Sequence, residues 1–440
     1  MDLVETERFL SGFDTVECCF PDTWGVFVGR RMPAPVFFDV VTGGLSMPNA
    51  PFAWNLRGEI DPVPYANPDT GFPNMHVVPD LSTLRPAPWA ERTAFCLMDA
   101  FTASGGEPHP LDTRGILRRS SATLEGLGYD AWVASELEFY LCTTDGQPLD
   151  DDVRCWSMTR GAEYEPVIGE IRSTLLACGV PVVSSQTEGG PGQWEINVGP
   201  ASPIETADNA AILKYVVKLL ARRQGLLATF MPMPFQDAEG SGHHLHQSLR
   251  ATGSEENVFG VDDDADGPIR SRPMRAYLAG VLEHIADLTA VNLPSVNAYK
   301  RLKDYTFAPN RVCWAIDNRT AAVRIPPGEG DARRMEIRSA SSDANPYLIL
   351  AGTIAAGADG LGRASVPPPP IEGDAYKDGT LELVPTTLGA AVDRFEQSAF
   401  CKDVFGELFV ETFSVLARRE EAAFRNHVTD WERARYLEPS

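Results

Sequence analysis

Gly240-Ser241-Gly242-His243-His244-Leu245-His246-Gln247-Ser248-Leu249 contains three of the seven histidines in a chain of 440 residues. In an extended run side chains alternate, so His244, His246 and Ser248 share one face and His243, Leu245 and Gln247 the other. The small residues before the run let a backbone approach a ligand closely. One face thus carries two imidazoles and a hydroxyl, a set suited to a metal. A polar edge strand or a surface histidine cluster is the other reading of this stretch alone.

Three more segments share its geometry. In Val133-Ala134-Ser135-Glu136-Leu137-Glu138-Phe139-Tyr140-Leu141 the two glutamates share a face, with Val133, Leu137, Phe139 and Leu141 opposite. In Gly192-Gln193-Trp194-Glu195-Ile196-Asn197-Val198, Glu195 lies between Gln193 and Asn197, and Glu188 stands just upstream across Gly189-Gly190-Pro191-Gly192. In Arg334-Met335-Glu336-Ile337-Arg338 two guanidiniums flank a carboxylate. Carboxylates facing one cavity repel unless cations neutralise them. Five glutamates and an imidazole form a hard, oxygen-rich set suited to Mg²⁺ or Mn²⁺. Arg301, Arg319, Arg324, Arg334 and Arg338 add donors for carboxylates and phosphates. Together they suggest ATP-dependent phosphoryl transfer onto a carboxylate. No GxxxxGK[ST] loop is present, so metals and arginines must hold the phosphates.

The formal charge, 38 − 61 = −23, argues against a nucleic-acid partner. The eight cysteines form no CxxC pair, the N-terminus lacks a signal-peptide pattern, and no apolar run is long enough to span a bilayer. These features predict a reduced, cytoplasmic protein with no membrane partner.

Along the chain, Phe9, Phe13 and Val16 predict a helix within 1–20. Strands are expected at Trp24 to Val28, Val36 to Val41, His76 to Pro79 and Ala94 to Met98, with a long loop from Asn55 to Asn74. A β-rich N-terminal domain, 1–105, would end at Ser104-Gly105-Gly106-Glu107-Pro108, leaving 106–440 as the catalytic domain. Asp112 opens a helix running to Gly126. Further helices are expected at 163–178, 206–228, 272–290, 343–359, 386–398 and 404–434. The fold class is α+β, built on an antiparallel sheet.

Taken in order, these motifs resemble the glutamine synthetase family over nearly the whole chain. The matching pieces are Glu136-Leu137-Glu138, Glu188 to Glu195, the histidine stretch, Asn297-Ala298-Tyr299-Lys300-Arg301-Leu302, Asn318 to Pro326, and Arg334 to Leu348. The resemblance implies a β-grasp N-terminal domain, a curved catalytic sheet flanked by helices, and a homo-oligomer, a dodecamer of two stacked hexamers with sites between subunits. It implies one metal on Glu138, Glu188 and Glu195, a second on Glu136, His244 and Glu336, and a third arriving with ATP. His246, Gln247 and Ser248 would line the nucleotide site, with Arg319 and Arg324 on the phosphates. Arg319 would stabilise the transferring group. Gly240, Arg301 and Arg338 would hold glutamate, whose γ-carboxylate is phosphorylated before an amine attacks.

The chain departs from that pattern at several positions. Ammonia-using members carry a DGSS-type segment, where this chain reads Thr42-Gly43-Gly44-Leu45-Ser46-Met47-Pro48, and a flap glutamate, where it has Phe307. A phenyl ring offers apolar surface instead of an anion for ammonium. The departure resembles the γ-glutamyl amide ligases of the superfamily, with glutamate, ATP and an organic amine as partners. The alternatives are an ammonia-using glutamine synthetase with Asp304 as the anion, a phosphotransferase, and a catalytically silent relative. Glu239 replaces an Asn near the glutamate amino group, and Arg333 would substitute for a missing lysine. His243, on the far face, is expected to be packed. Phe52, Trp54 and Phe72 are candidates for the amine pocket, and Tyr376 is expected to escape adenylylation.

Overall fold

The computed structural model describes residues 1–103, 106–263 and 267–438. The boundary expected at residue 105 therefore lies outside the described residues.

The N-terminal part is a curled six-stranded sheet: β1 (Thr15–Pro21), β2 (Phe27–Pro33), β3 (Leu45–Pro48), β4 (Asn74–Pro79), β5 (Arg85–Pro86) and β6 (Thr93–Phe101). Its order is β2-β1-β6-β4-β3, with β5 on β6. β1 and β6 run parallel, the mark of a β-grasp sheet. The helix expected within 1–20 covers only Leu3–Leu10, closed by an Asp2–Glu5 capping box. Val16 instead lies in β1, because Thr15 to Cys19 is β-prone and is paired on both sides. Val36 to Val41, expected as a strand, is helical. Ala34–Gly43 buries Ala34, Phe37 and Val40 at threefold spacing, and Pro35 in its first turn presets the backbone.

The second sheet has eight strands: β7 (Tyr129–Cys142), β8 (Val182–Thr187), β9 (Gln193–Ala201), β10 (Leu227–Thr229), β11 (Gly242–Ala251), β12 (Trp314–Ile316), β13 (Val323–Ile325) and β14 (Met335–Ser341). Its order is β12-β13-β14-β11-β7-β9-β8, with β10 on β7. Every pairing is antiparallel except β12 with β13. Alternation along β7 buries Val133, Leu137, Phe139 and Leu141 and leaves Glu136 and Glu138 on the opposite, half-exposed face.

Helices Thr113–Gly126 and Pro203–Arg223 pack behind β7, and Arg272–His284 and Pro346–Gly362 extend that layer. The helix expected over 404–434 is three pieces, Ala399–Phe405, Glu407–Asn426 and Asp430–Tyr436, the first break falling at Gly406 with φ 89°. The helix expected over 206–228 is Pro203–Arg223. It stops because Gly225 turns the chain (φ 72°) into β10. No helix among the described residues is long and apolar enough to cross a membrane.

Arg114, on helix Thr113–Gly126, joins the N-terminal part to helix Pro203–Arg223. Fully buried, it donates to both oxygens of Asp208 at 3.0 and 2.9 Å, to Asp80 at 3.1 Å, and to Asp99.

Candidate active site

Strand order brings the polar faces together. Across β7 and β11, Glu136 pairs with His244; across β11 and β14, His246 pairs with Glu336. Glu138 pairs with Glu195 across β7 and β9, and Arg324 with Glu336 across β13 and β14. Cross-strand neighbours lie close enough to interact directly, so one ladder row becomes a site.

One end of the row is neutralised. His246 Nε2 lies 2.8 Å from Glu136, and His244 Nδ1 lies 3.6 Å from it. Arg324 donates to Glu336 at 2.7 Å, and Arg338 to its other oxygen. Burial works to raise Glu336, but Arg338, the two imidazoles and Arg324 hold it down at about 2. Burial also works against ionised Glu136, and the His244 and His246 bonds hold it far below the usual range.

The other end is not neutralised. None of Glu138, Glu188, Glu195 and Glu239 is ion-paired among the described residues. Burial first, then Glu138, Glu239 and Glu136, pushes Glu188 up to about 8. Burial and the surrounding carboxylates push Glu195 well above its ordinary range. Unneutralised carboxylates with two imidazoles alongside fit divalent cations. Two groups in this row offer ligand atoms within 4.8 Å of one another, Glu136 with Glu195 and His244, and Glu136 with His246 and Glu336. The resemblance implied a different division: here Glu136 is common to both groups, His246 joins the second, and Glu138 and Glu188 stand in neither.

A cavity of about 330 Å³ opens beside this row, lined by Trp132, Glu136, Asn197, His246, Ser248 and Arg334. A family model for the glutamine synthetase catalytic domain matches residues 110–436. The chain is 31% identical to a glutamate–isopropylamine ligase of a Pseudomonas species, over 97% of this chain and 95% of that one.

The chain belongs to the glutamine synthetase family.

It is also 34% identical to a γ-glutamylethanolamide synthetase of Streptomyces coelicolor, over 97% of this chain and 93% of that one. A glutamine synthetase of Thermotoga maritima is 33% identical over 83% and 85%. A solved ADP complex of GmaS, 31% identical, superposes with a TM-score of 0.87 over 99% of both chains. These likenesses establish the α+β glutamine synthetase fold. Membership of this ATP- and metal-using family agrees with the carboxylate–imidazole clusters.

The remaining residues expected at a glutamine synthetase site divide into those the fold gathers and those it does not. Arg301 and Arg338 are buried beside the row, and each has an Nε without a partner among the described residues. Arg301 packs beneath Gly240, where any Cβ would collide with it. Glu138 accepts the Gly242 amide at 2.7 Å. Arg319 is exposed and unbonded among the described residues.

Gln247 is among the residues lining the cavity, while its side-chain amide lies on the strand's inner face, donating to Thr353 Oγ1 at 2.8 Å and accepting from Tyr277 at 2.7 Å. Two expectations are corrected. Arg333 turns away to the carbonyls of Gly328 and Pro268, while Arg334 lines the cavity and donates to His246 Nδ1 at 3.1 Å. Phe52 is fully buried against Phe20 and His109, out of reach of an amine. His243 is buried too, 2.7 Å from Ser135 Oγ.

Sequence reasoning missed Trp132 and Arg250. The Arg250 guanidinium lies 4.1 Å over the Trp132 ring at the cavity wall. The signal was present: 132 continues the alternation of 136 and 138, and 250 that of 244, 246 and 248.

Proposed function

We propose that the chain is an ATP-dependent ligase that joins the γ-carboxylate of glutamate to an organic primary amine through γ-glutamyl phosphate. One observation favours an amine over ammonium. Phe307 occupies the flap position, and the neighbouring carboxylate is already committed: Asp304 accepts from Asn310 Nδ2 at 2.9 Å and Arg311 Nη1 at 3.0 Å. The flap thus offers a cation no free anion, while Phe307, about half exposed, offers apolar surface.

The cavity suits ATP lying with its base against the Trp132–Arg250 end and its phosphates toward the carboxylate row. Glu136, His244 and Glu336, with Glu138, Glu188 and Glu195, would hold two or three Mg²⁺ or Mn²⁺ ions, which neutralise phosphate oxygens. Arg324 and Arg319 would face the transferring group, Arg319 without a competing partner among the described residues. His246 and Ser248 line the nucleotide side, and Arg301 and Arg338 take the glutamate carboxylate. The γ-carboxylate oxygen attacks phosphorus and ADP leaves. The amine nitrogen then attacks the acyl carbon, phosphate leaves, and the nitrogen sheds a proton into the carboxylate-rich end.

The exposed rings of Tyr305 and Phe307 support closure of the mouth by a neighbouring subunit, as in a dodecamer of two stacked hexamers. All eight cysteines are free, which favours a reducing, cytoplasmic setting.

Glutamate-dependent ADP formation should be measured with ammonium and with putrescine, spermine, ethanolamine, methylamine, isopropylamine and aniline. One amine class is expected to outpace ammonium. Ammonium as best acceptor would make the chain an ammonia-using glutamine synthetase.

A further inference from the structure

We propose that the cavity between the β1–β2 turn and helix Pro203–Arg223 binds a small organic anion with an apolar body, held by Lys214 and Lys218. This assignment does not depend on the ligase reading. The cavity has a volume of about 290 Å³ and is lined by Trp24, Phe27, Lys214, Lys218, Phe230 and Asp343 among others. It shares no residue with the cavity beside the carboxylate row.

Lys214 is only 9% exposed. Its ammonium has three donors, and one of them reaches the Ala344 carbonyl at 2.7 Å. Lys218 stands one turn further along the same helix and is exposed where it lines the cavity. The two ammoniums lie 5.8 and 5.7 Å from the centre of the Phe230 ring, and neither forms an ion pair among the described residues. Burial, and then Lys218, push the Lys214 pKa down to about 7. Like charges one turn apart repel, and an anion between them removes the repulsion.

Two carboxylates stand near the lysines, and both are occupied by other groups. Asp22 accepts the amides of Trp24 and Val26 at 2.9 Å each, and Asp343 accepts the hydroxyls of Ser295 at 2.6 Å and of Ser341. Burial raises both acids, Asp22 to about 7, which weakens the field they oppose to an anion. Trp24, Phe27 and Phe230 make the rest of the wall aromatic. Cations beside aromatic rings favour an aryl or alkyl carboxylate over a bare inorganic ion, and they repel an amine. The Ala344 carbonyl held by Lys214 lies between β14 and helix Pro346–Gly362, so the bound anion rests against the segment that follows Glu336 and Arg338.

The test is isothermal titration calorimetry of the full-length protein with benzoate, acetate, benzamide and inorganic phosphate, with and without MgADP and glutamate. Benzoate should bind with a Kd of about 1 mM or tighter. Acetate and phosphate should bind at least about tenfold more weakly, and benzamide not detectably. MgADP and glutamate should leave the benzoate Kd within about twofold. Lys214→Met should abolish binding. Because that change also frees the Ala344 carbonyl, Lys218→Ala is the second variant: it should weaken benzoate about fivefold, with turnover and circular dichroism unchanged. Lys218→Arg should keep the affinity. Equal benzoate affinity in wild type and Lys218→Ala overturns the proposal. So does displacement by glutamate, which places benzoate on Arg301 and Arg338, and so does phosphate or benzamide binding as tightly as benzoate. A lack of benzoate binding, with a Lys218→Ala protein that loses mass by light scattering, overturns it in favour of a neighbouring chain's carboxylate in the cavity.

Discussion

His246 Nε2 lies 2.8 Å from Glu136 Oε1, although 110 positions separate the two residues in the chain. That contact ties β7 to β11 at the centre of the carboxylate row and divides it into a neutralised end and a crowded one. The crowded end makes the metal-free protein pH-sensitive. Burial and its acidic neighbours lift Glu188 from 4.5 to about 8, so the folded chain keeps a proton that the unfolded chain releases. This group's contribution to stability is present below about 4.5, falls as pH rises toward 8, and levels off above. A bound cation removes the repulsion, so the gain in Tm from Mg²⁺ should grow across that window. A gain that is flat with pH, measured by calorimetry in chelator and in Mg²⁺, would contradict the assignment.

Phe307 should set the choice of acceptor. Phe307→Glu restores an anion at the flap and is expected to raise the ammonium-to-amine ratio of kcat/KM about tenfold or more. Phe307 is about half exposed, so stability should move by no more than about 0.5 kcal/mol. Competition assays with both acceptors present give the ratio directly, and an unchanged ratio would remove Phe307 from the amine pocket.

The wall of the nucleotide cavity supplies a third prediction. Trp132→Ala loses a stacking surface and should raise KM for ATP about tenfold. Arg334→Ala should act in the same direction. Arg333→Ala, whose guanidinium caps backbone carbonyls outside the cavity, should leave KM for ATP within about twofold. The reverse order for the two arginines would show that the loop before β14 rearranges when ATP binds.

Arg114 is a matter of stability, not chemistry. Arg114→Met leaves the buried Asp208 carboxylate without a cation, while Asp80 and Asp99 keep Arg118, and should cost about 3–5 kcal/mol. Denaturant unfolding measures it. Enzyme that stays folded should keep the KM for ATP and for glutamate.

Local sequence was sufficient wherever one strand's alternation carried the information. The two-residue period of Glu136 and Glu138, of His244, His246 and Ser248, and of Glu336 and Arg338 marked the site face before any pairing was known. The cap at Asp112 placed a helix start to the residue. The same logic failed for Val36 to Val41, where an apolar run suits either period and Pro35 tips it into a helix.

Pairing and direction were decided elsewhere. Which glutamate meets which histidine depends on strand order and register between segments about a hundred residues apart, and on the irregularity opposite His244 in the pairing with β14. Adjacent Arg333 and Arg334 are alike in sequence, but a turn ahead of β14 sends one to backbone carbonyls and the other into the cavity. The sequence alone determined the residue types and faces of the site, because those follow from backbone periodicity. Only the tertiary structure decided which charges are neutralised and which stand open to a cation or substrate, because that depends on contacts between distant strands.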